Sequence, residues 1–315
     1  MDAGKPVIQT ENLSKTYRRG AQLALDRLNL SLKPGEVFGY LGPNGAGKTT
    51  TIRILLDIIR PTSGRATIFD QDVRRDRIAL HRRIGYMPGE LKLWDSLTGH
   101  QVIQYVGQVR GTLDMAYVNQ LAERLSLDLT PKVRAYSTGN RRKLGIVLAF
   151  MNKPDLFILD EPTTGLDPLV QQTFYQLVRD VRDEGRTIFL SSHILSEVQA
   201  ICDRVGILRE GKLQAVESVE TLVHTDFRWV TVMLRGAIQP ERVAGLPGVS
   251  DVKAVDSGNV LRLRLVGAMG PLLKAIGTDE IIDIYTEKPT LEDIFLTFYG
   301  ESPAVQQEHK GEVAQ

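Results

Sequence analysis

Gly42-Pro43-Asn44-Gly45-Ala46-Gly47-Lys48-Thr49-Thr50, GPNGAGKTT, sets three glycines at the junction of two different patterns. Before it runs Val37-Phe38-Gly39-Tyr40-Leu41, a short apolar stretch rich enough in β-branched and aromatic residues to read as a strand. After it, Ile52, Leu55, Leu56 and Ile59 fall at i, i+3, i+4, i+7, which predicts a helix from Ile52 to Ile59. Glycine is the entropically expensive choice at such a junction, so the backbone there must need to be bare. The spacing G-x-x-x-x-G-K-T, carried by Gly42, Gly47, Lys48 and Thr49, supplies the reason. Successive N–H groups turned inward cradle phosphate oxygens, and the following helix offers them its positive N-terminus. Lys48 then reaches the β- and γ-phosphates, the Thr49 hydroxyl ligates Mg²⁺, and Thr50 can donate toward the α-phosphate. A glycine-rich turn with a surface lysine would share the composition, but not all four positions in a strand–turn–helix setting.

A phosphate loop of this kind needs an acid on another strand to hold its metal. Leu156 to Leu159, in DLFILDEPTTGLDP, is an unbroken apolar run, as expected of a parallel strand covered on both faces. Asp160 ends it. Sites in α/β sheets lie beyond the carboxyl ends of the strands, which brings Asp160 beside Thr49 and the Mg²⁺. Glu161 follows directly, placed to polarise a water attacking the γ-phosphate. An exposed acidic turn would explain neither the apolar run nor the PTTGLDP that follows.

The remaining composition narrows the class. The 315 residues suffice for one large core or two domains. A formal net charge of +1 gives no broad basic field of the kind nucleic-acid binders carry. One cysteine, Cys202, cannot build a disulfide framework, which fits a reducing compartment. The opening MDAGKPVIQTEN lacks the apolar segment of a signal peptide. The longest clean apolar run, Ile146 to Met151, falls far short of the ~20 residues a membrane span requires. A soluble chain is expected, one that serves a membrane only through a partner.

With these residues in view, the sequence resembles the nucleotide-binding subunits of ABC transporters over roughly residues 7 to 220. Tyr17, in LSKTYRRG, matches the aromatic that stacks on adenine. GPNGAGKTT matches the Walker A loop, with Gly42, Pro43, Asn44, Gly45, Ala46, Gly47, Lys48, Thr49 and Thr50 around the nucleotide. LFILDE matches the Walker B strand, and YSTGNRRKLGIVLA stands where the family has its signature motif. GLDP, with Asp167, matches the D-loop, and SSHILSEVQAICDRVGIL carries His193 at the switch-histidine position. Val170, Phe174, Leu177, Val178 and Val181 mark an amphipathic helix after the D-loop. Thr187 to Leu190 reads as a strand that brings His193 to the sheet edge of Asp160 and Glu161. Ile194, Leu195, Val198, Ile201 and Cys202 have helical spacing, so Cys202 reads as a core residue. Ser137 and Gly139 open a helix from Arg141 to Met151, itself an anion-binding terminus. The resemblance implies that this second terminus closes over ATP held by a neighbouring subunit. It therefore implies a head-to-tail dimer of ATPase subunits, with ATP and Mg²⁺ at its interface.

Two positions depart from that family pattern. Thr138 replaces a glycine of the signature. In IGYMPGELKLW, Gly89 stands where the family places a glutamine that touches metal, water and membrane subunit, and Glu90 follows it.

From about Thr225 the texture changes. Trp229 to Leu234 reads as a strand and Pro240 to Leu246 as a short helix. VSDVKAV and NVLRLRLV read as strands joined by a turn at Asp256-Ser257-Gly258. Pro271 to Ile276 reads as a helix and Glu280 to Tyr285 as a strand. TLEDIFLTFYG reads as a final helix with a Thr290–Asp293 capping box. The order β-α-β-β-α-β suggests a ferredoxin-like sandwich with no catalytic constellation of its own; its ending resembles the C-terminal extension of ABC-type export ATPases. The expected fold is thus α/β: a P-loop ABC-type nucleotide-binding domain over 1–222, with a mixed sheet core and a helical subdomain at about 90–150. A small α+β domain over 223–300 and a disordered polar tail over 301–315 follow.

The expected function is ATP hydrolysis coupled to export through a separately encoded integral membrane permease, at the cytoplasmic face of the cell membrane. Glu161 would orient or deprotonate water, His193 sense the γ-phosphate, and Lys48 with Mg²⁺, held by Thr49 and Asp160, neutralise developing charge. A soluble ABC-type ATPase acting on ribosomes or nucleic acid is one alternative and an importer ATPase another. The single cassette, the short insert between Gly89 and Tyr136 and the small C-terminal module favour export. By resemblance, the cargo expected is a drug or antibiotic.

Overall fold

The computed structural model describes residues 4–17, 22–111, 113–223, 227–255, 258–277 and 280–287. The chain divides into two compact units, Met1–Val219 and Glu220–Gln315.

The first unit holds two sheets. Strands β1 (Ile8–Tyr17), β2 (Gln22–Leu32), β4 (Ser63–Ile68) and β5 (Gln71–Asp72) form an antiparallel sheet in the order β2-β1-β4-β5. The central sheet is built from β3 (Val37–Leu41), β6 (Ile84–Met87), β7 (Leu156–Asp160), β8 (Thr187–Ser192), β9 (Arg204–Arg209) and β10 (Lys212–Ser218). Its order is β10-β9-β3-β8-β7-β6, parallel throughout except for β10. Every residue of β3, β7 and β8 is buried, which is why these strands read as apolar runs rather than alternations. Phe189 on β8 lies between Phe38 and Tyr40 of β3, its ring centroid 6.1 Å and 5.2 Å from theirs.

Helices follow the strands. α1 (Lys48–Leu55) leaves β3; α2 (Arg77–Arg83) precedes β6; α6 (Pro168–Asp183) and α7 (Leu195–Ile201) follow β7 and β8. Between β6 and β7 the chain makes α3 (Gly99–Arg110), α4 (Met115–Arg124) and α5 (Thr138–Phe150). α6 buries Val170, Phe174, Leu177, Val178 and Val181, the apolar stripe of the sequence, and starts on an Asp167 cap with Pro168 in its first turn. α1 ends four residues before the expected Ile59. Asp57 turns the backbone into the left-handed region at φ +50°, and the N–H groups of Ile58 and Ile59 both fold back to the Arg53 carbonyl.

In the second unit, α8 (Val219–Val223) straddles the boundary. β11 (Phe227–Leu234), α9 (Glu241–Ala244), β12 (Val249–Val255), β13 (Val260–Val266), α10 (Gly270–Ile276) and β14 (Ile281–Glu287) follow. The four strands pair antiparallel in the order β12-β13-β11-β14. Val230, Val232, Leu261, Leu263 and Leu265 face Val243, Leu272 and Ile276 of the two helices in one apolar core. The expected hairpin is closed by the Val255–Val260 pair, though Asp256 and Ser257 of its turn lie outside the described residues. The helix expected at 290–300 and the tail at 301–315 lie outside them too.

Candidate active site

The loop Gly42–Gly47 leaves the buried end of β3 and enters α1 at Lys48. A Cβ on Gly42 would lie 2.5 Å from the Leu208 carbonyl of β9, and one on Gly47, whose φ is +112°, 2.5 Å from the Ala24 carbonyl of β2. The loop is thus pressed against the β9–β10 turn, where the Gly211 N–H donates to the Ala46 carbonyl at 2.9 Å. Its outer residues Pro43, Asn44 and Gly45 stay exposed.

Lys48 is buried and folds its ammonium back into the loop, donating to the Gly42 carbonyl at 2.5 Å and the Pro43 carbonyl at 3.3 Å. Burial lowers its pKa, opposed by the nearby carboxylates of Glu161 and Asp160. Its Nζ lies 3.6 Å from Glu161 Oε1, and His193 Nδ1 lies 3.2 Å from that same oxygen. One carboxylate oxygen therefore stands between a buried cation and an imidazole. Glu161 is held there in the left-handed backbone region, at φ +49°, with its N–H donating to the Ser191 carbonyl at 3.1 Å.

Asp160 uses both oxygens. Thr49 Oγ1 donates to Oδ2 at 3.0 Å and Ser191 Oγ to Oδ1 at 2.5 Å. A hydroxyl and a carboxylate converging from the helix start and the strand end form a hard-oxygen pair suited to Mg²⁺, which would complete its shell from phosphate and water. Tyr17 ends β1 with its hydroxyl 3.5 Å from Thr50 Oγ1, so it borders the loop from the other sheet.

Ser137, Gly139 and Asp167 occupy a different place. Ser137 caps α5, accepting from the Asn140 N–H at 3.2 Å, and Asp167 caps α6, accepting from the Val170 N–H at 3.0 Å. A Cβ on Gly139 would sit 3.5 Å from the Gly165 carbonyl, so the two caps adjoin each other. α5 begins at Thr138, three residues earlier than the expected Arg141.

At the departing position, a Cβ on Gly89 would lie 3.2 Å from Asp160 Oδ2, so this loop borders the acid directly. The Glu90 side chain is 80% exposed and pairs with Lys92 at 3.5 Å, turned to solvent rather than to Asp160.

Three participants were not apparent from the sequence. Ser191 belongs to the SSH stretch, and its signal is register: it stands opposite Asp160 in the parallel β7–β8 pair. Glu197 on α7 is buried and accepts from the Ser192 hydroxyl at 2.6 Å. Burial raises its carboxyl pKa, partly offset by the Ser192 and Thr163 hydroxyls. Arg142 on α5 donates to the Pro88 and Gly89 carbonyls. Neither Glu197 nor Arg142 stands out in sequence, because charged residues on helices are ordinarily solvated.

Residues 25–164 match the family model described as ABC transporter. The chain is 33% identical over 302 residues to a bacitracin transport ATP-binding protein of Bacillus licheniformis, spanning 93% of this chain and 97% of that one. It is 34% identical over 215 residues to a linearmycin resistance ATP-binding protein of Bacillus subtilis, spanning 67% and 68%. Among solved structures, an ATP-binding subunit of an ABC transporter superposes with a TM-score of 0.63 at 28% identity, covering 69% of this chain and 91% of that one. A dimeric ATP-binding cassette bound to ADP and Pi has a TM-score of 0.60 over 67% and 98%; at 24% identity it speaks to the fold alone.

Proposed function

The chain belongs to the ATP-binding proteins of ABC transporters, and from that premise we propose that it is the ATP-hydrolysing subunit of an export complex. The observation that carries the reading is the convergence of Lys48, Glu161 and His193 beside the Thr49–Asp160 pair, at the carboxyl ends of neighbouring strands.

ATP is the substrate. The loop from Gly42 to Gly47 and the start of α1 receive its phosphates, Tyr17 flanks its base, and Thr50 supports the loop. Thr49 and Asp160 hold Mg²⁺, which when bound offsets phosphate charge. Triphosphate competes with Glu161 for Lys48, whose ammonium now rests on loop carbonyls. That exchange frees the Glu161 carboxylate to orient and accept a proton from the attacking water. His193, already against the same carboxylate, meets the γ-phosphate and registers its departure.

Ser137, Gly139 and Asp167 lie at two adjoining helix starts, where Ser137 and Asp167 accept from the helix backbones. This supports their serving a second nucleotide, held by another copy of the subunit in a head-to-tail dimer. No helix among the described residues is long and apolar enough to cross a membrane. Coupling therefore falls to an integral membrane permease, with this subunit at its cytoplasmic face. The named roles of the bacitracin and linearmycin relatives support drug or antibiotic export. Residues 1–222 carry the nucleotide machinery. The strand order of the second unit, with β11 central and β14 at its edge, supports a ferredoxin-like sandwich that contacts partners rather than substrate.

The test is Glu161→Gln in the full chain. Nucleotide binding should persist while turnover falls by roughly 10²–10⁴-fold, as for a lost general base, and MgATP should trap a dimer visible by size-exclusion chromatography. Near-normal hydrolysis by this variant would refute the assignment.

A further inference from the structure

The loop between β6 and the helical segment touches three things at once. At Gly89 it borders Asp160. At Leu91 it lies on α5, where a Cβ on Gly145 would come 2.8 Å from Leu91 Cδ2. At Pro88 and Gly89 it is gripped through its backbone: Arg142 Nη1 donates to the Pro88 carbonyl at 3.2 Å and Nη2 to the Gly89 carbonyl at 2.5 Å. Arg142 and Gly145 are three residues apart on α5, hence on one helix face. The guanidinium is partly buried, and the charges acting on it are those of Glu161 and Asp160. A side chain that reached the acid from position 89 is absent, because that residue is glycine.

We propose that Arg142 is a positioning residue that makes the 88–91 loop move as one body with α5, so that the acid at the end of β7 and the helix begun by Ser137 are mechanically linked. The proposal rests on the ATPase reading above. Its chemistry is that of a planar fork. Two N–H groups on one rigid guanidinium engage two consecutive carbonyls, which a lysine ammonium on a flexible stem does not reproduce. A fork also fixes the loop's orientation as well as its distance. Gly89 holds a backbone conformation against Asp160, and any slip of the loop brings its peptide group toward or away from that carboxylate. The Arg142 guanidinium donates to the Pro88 and Gly89 carbonyls, so it acts through the loop.

The experiment compares the full chain with Arg142→Ala and Arg142→Lys, measuring steady-state ATPase, melting temperature and the effect of millimolar guanidinium. Arg142→Ala should keep its melting temperature and its KM for ATP near the parent values. Its kcat should fall by about 10–100-fold, the size expected when a group near the chemistry is displaced by an ångström. Guanidinium at concentrations far below denaturing should restore part of that loss, and Arg142→Lys should remain impaired. Unchanged kcat in Arg142→Ala would overturn the proposal. So would a fall that accompanies a lower melting temperature and resists guanidinium, since that is ordinary structural damage. Glu161→Gln, run alongside, separates the two ideas: if hydrolysis depends on Glu161 but not on Arg142, the ATPase reading stands and the coupling role fails. If hydrolysis is indifferent to Glu161, the reading beneath both fails.

Discussion

Ser191 Oγ donates to Asp160 Oδ1 across 2.5 Å, from the residue that stands opposite Asp160 in the parallel β7–β8 pair. The bond is buried, and it fixes the carboxylate so that Oδ2 faces Thr49. A serine two positions before His193 thereby sets the angle of an acid thirty-one residues earlier in the chain.

Ser191→Ala should therefore weaken the binding of MgATP by about 10–100-fold, the usual cost of losing the outer partner of a metal-ligating carboxylate. Nucleotide binding in EDTA should change far less. Isothermal titration with and without Mg²⁺ makes the comparison, and equal losses in both conditions would deny Ser191 this role.

Glu197 carries a pH signature. Burial raises its folded pKa above the ordinary carboxylate value, so the folded state holds the proton more tightly than the unfolded one. The stabilisation is complete below about pH 4.5 and is lost as pH rises through the folded pKa. Glu197→Gln keeps an acceptor for Ser192 and removes the titration. Its melting temperature relative to the parent should therefore rise from pH 5 to pH 8. A constant difference across that range would show that Glu197 does not titrate in the fold.

Phe189→Ala should destabilise the first unit by about 3–5 kcal/mol, as for a large aromatic removed from a packed core. Phe189 is fully buried between Phe38 and Tyr40, and β8 links the strand of the phosphate loop to that of Asp160. Denaturant melts of the full chain, followed in the transition of the first unit, give the value. A loss below about 1 kcal/mol would mean that the neighbours collapse into the space.

Glu90→Ala should leave the ATPase of the isolated chain unaltered, because the carboxylate is exposed and engages Lys92. Gly89→Gln should lower it, since the new Cβ must fit 3.2 Å from Asp160 Oδ2. An ATPase loss in Glu90→Ala without any permease present would show that the side chain swings inward on nucleotide binding.

What the sequence disclosed was whatever repeats at a fixed spacing or sits in a doubly buried strand. β3 occupies the expected Val37–Leu41, and β12 the expected Val249–Val255. Lys48, Thr49, Asp160, Glu161 and His193 do converge. The antiparallel sheet of β1, β2, β4 and β5 escaped notice for a local reason. β1 pairs irregularly with β2, shifting register three times between Thr10 and Thr16, and Asn12 and Arg27 take positive φ. These irregularities blur the alternation that marks a half-buried strand. Arg142 and Glu197 were hidden for another reason: their partners are backbone carbonyls and a serine hydroxyl, which carry no pattern along the chain.

The order β9-β3-β8-β7-β6 has a consequence for biosynthesis. β3 leaves the ribosome early, ending at Leu41, yet both of its neighbours come late, at Thr187–Ser192 and Arg204–Arg209. At about 5–20 residues per second, the nascent strand waits on the order of ten seconds or more with both edges bare. It is five residues long and wholly apolar-faced, the kind of segment that pairs with whatever strand it meets. The loop that follows it also lacks, meanwhile, the hydrogen bond that the Gly211 N–H gives to the Ala46 carbonyl in the finished fold. A chain that ends before β9 leaves one edge of β3 without its parallel partner, so the sheet order itself makes β3 the strand with most to gain from shielding during translation.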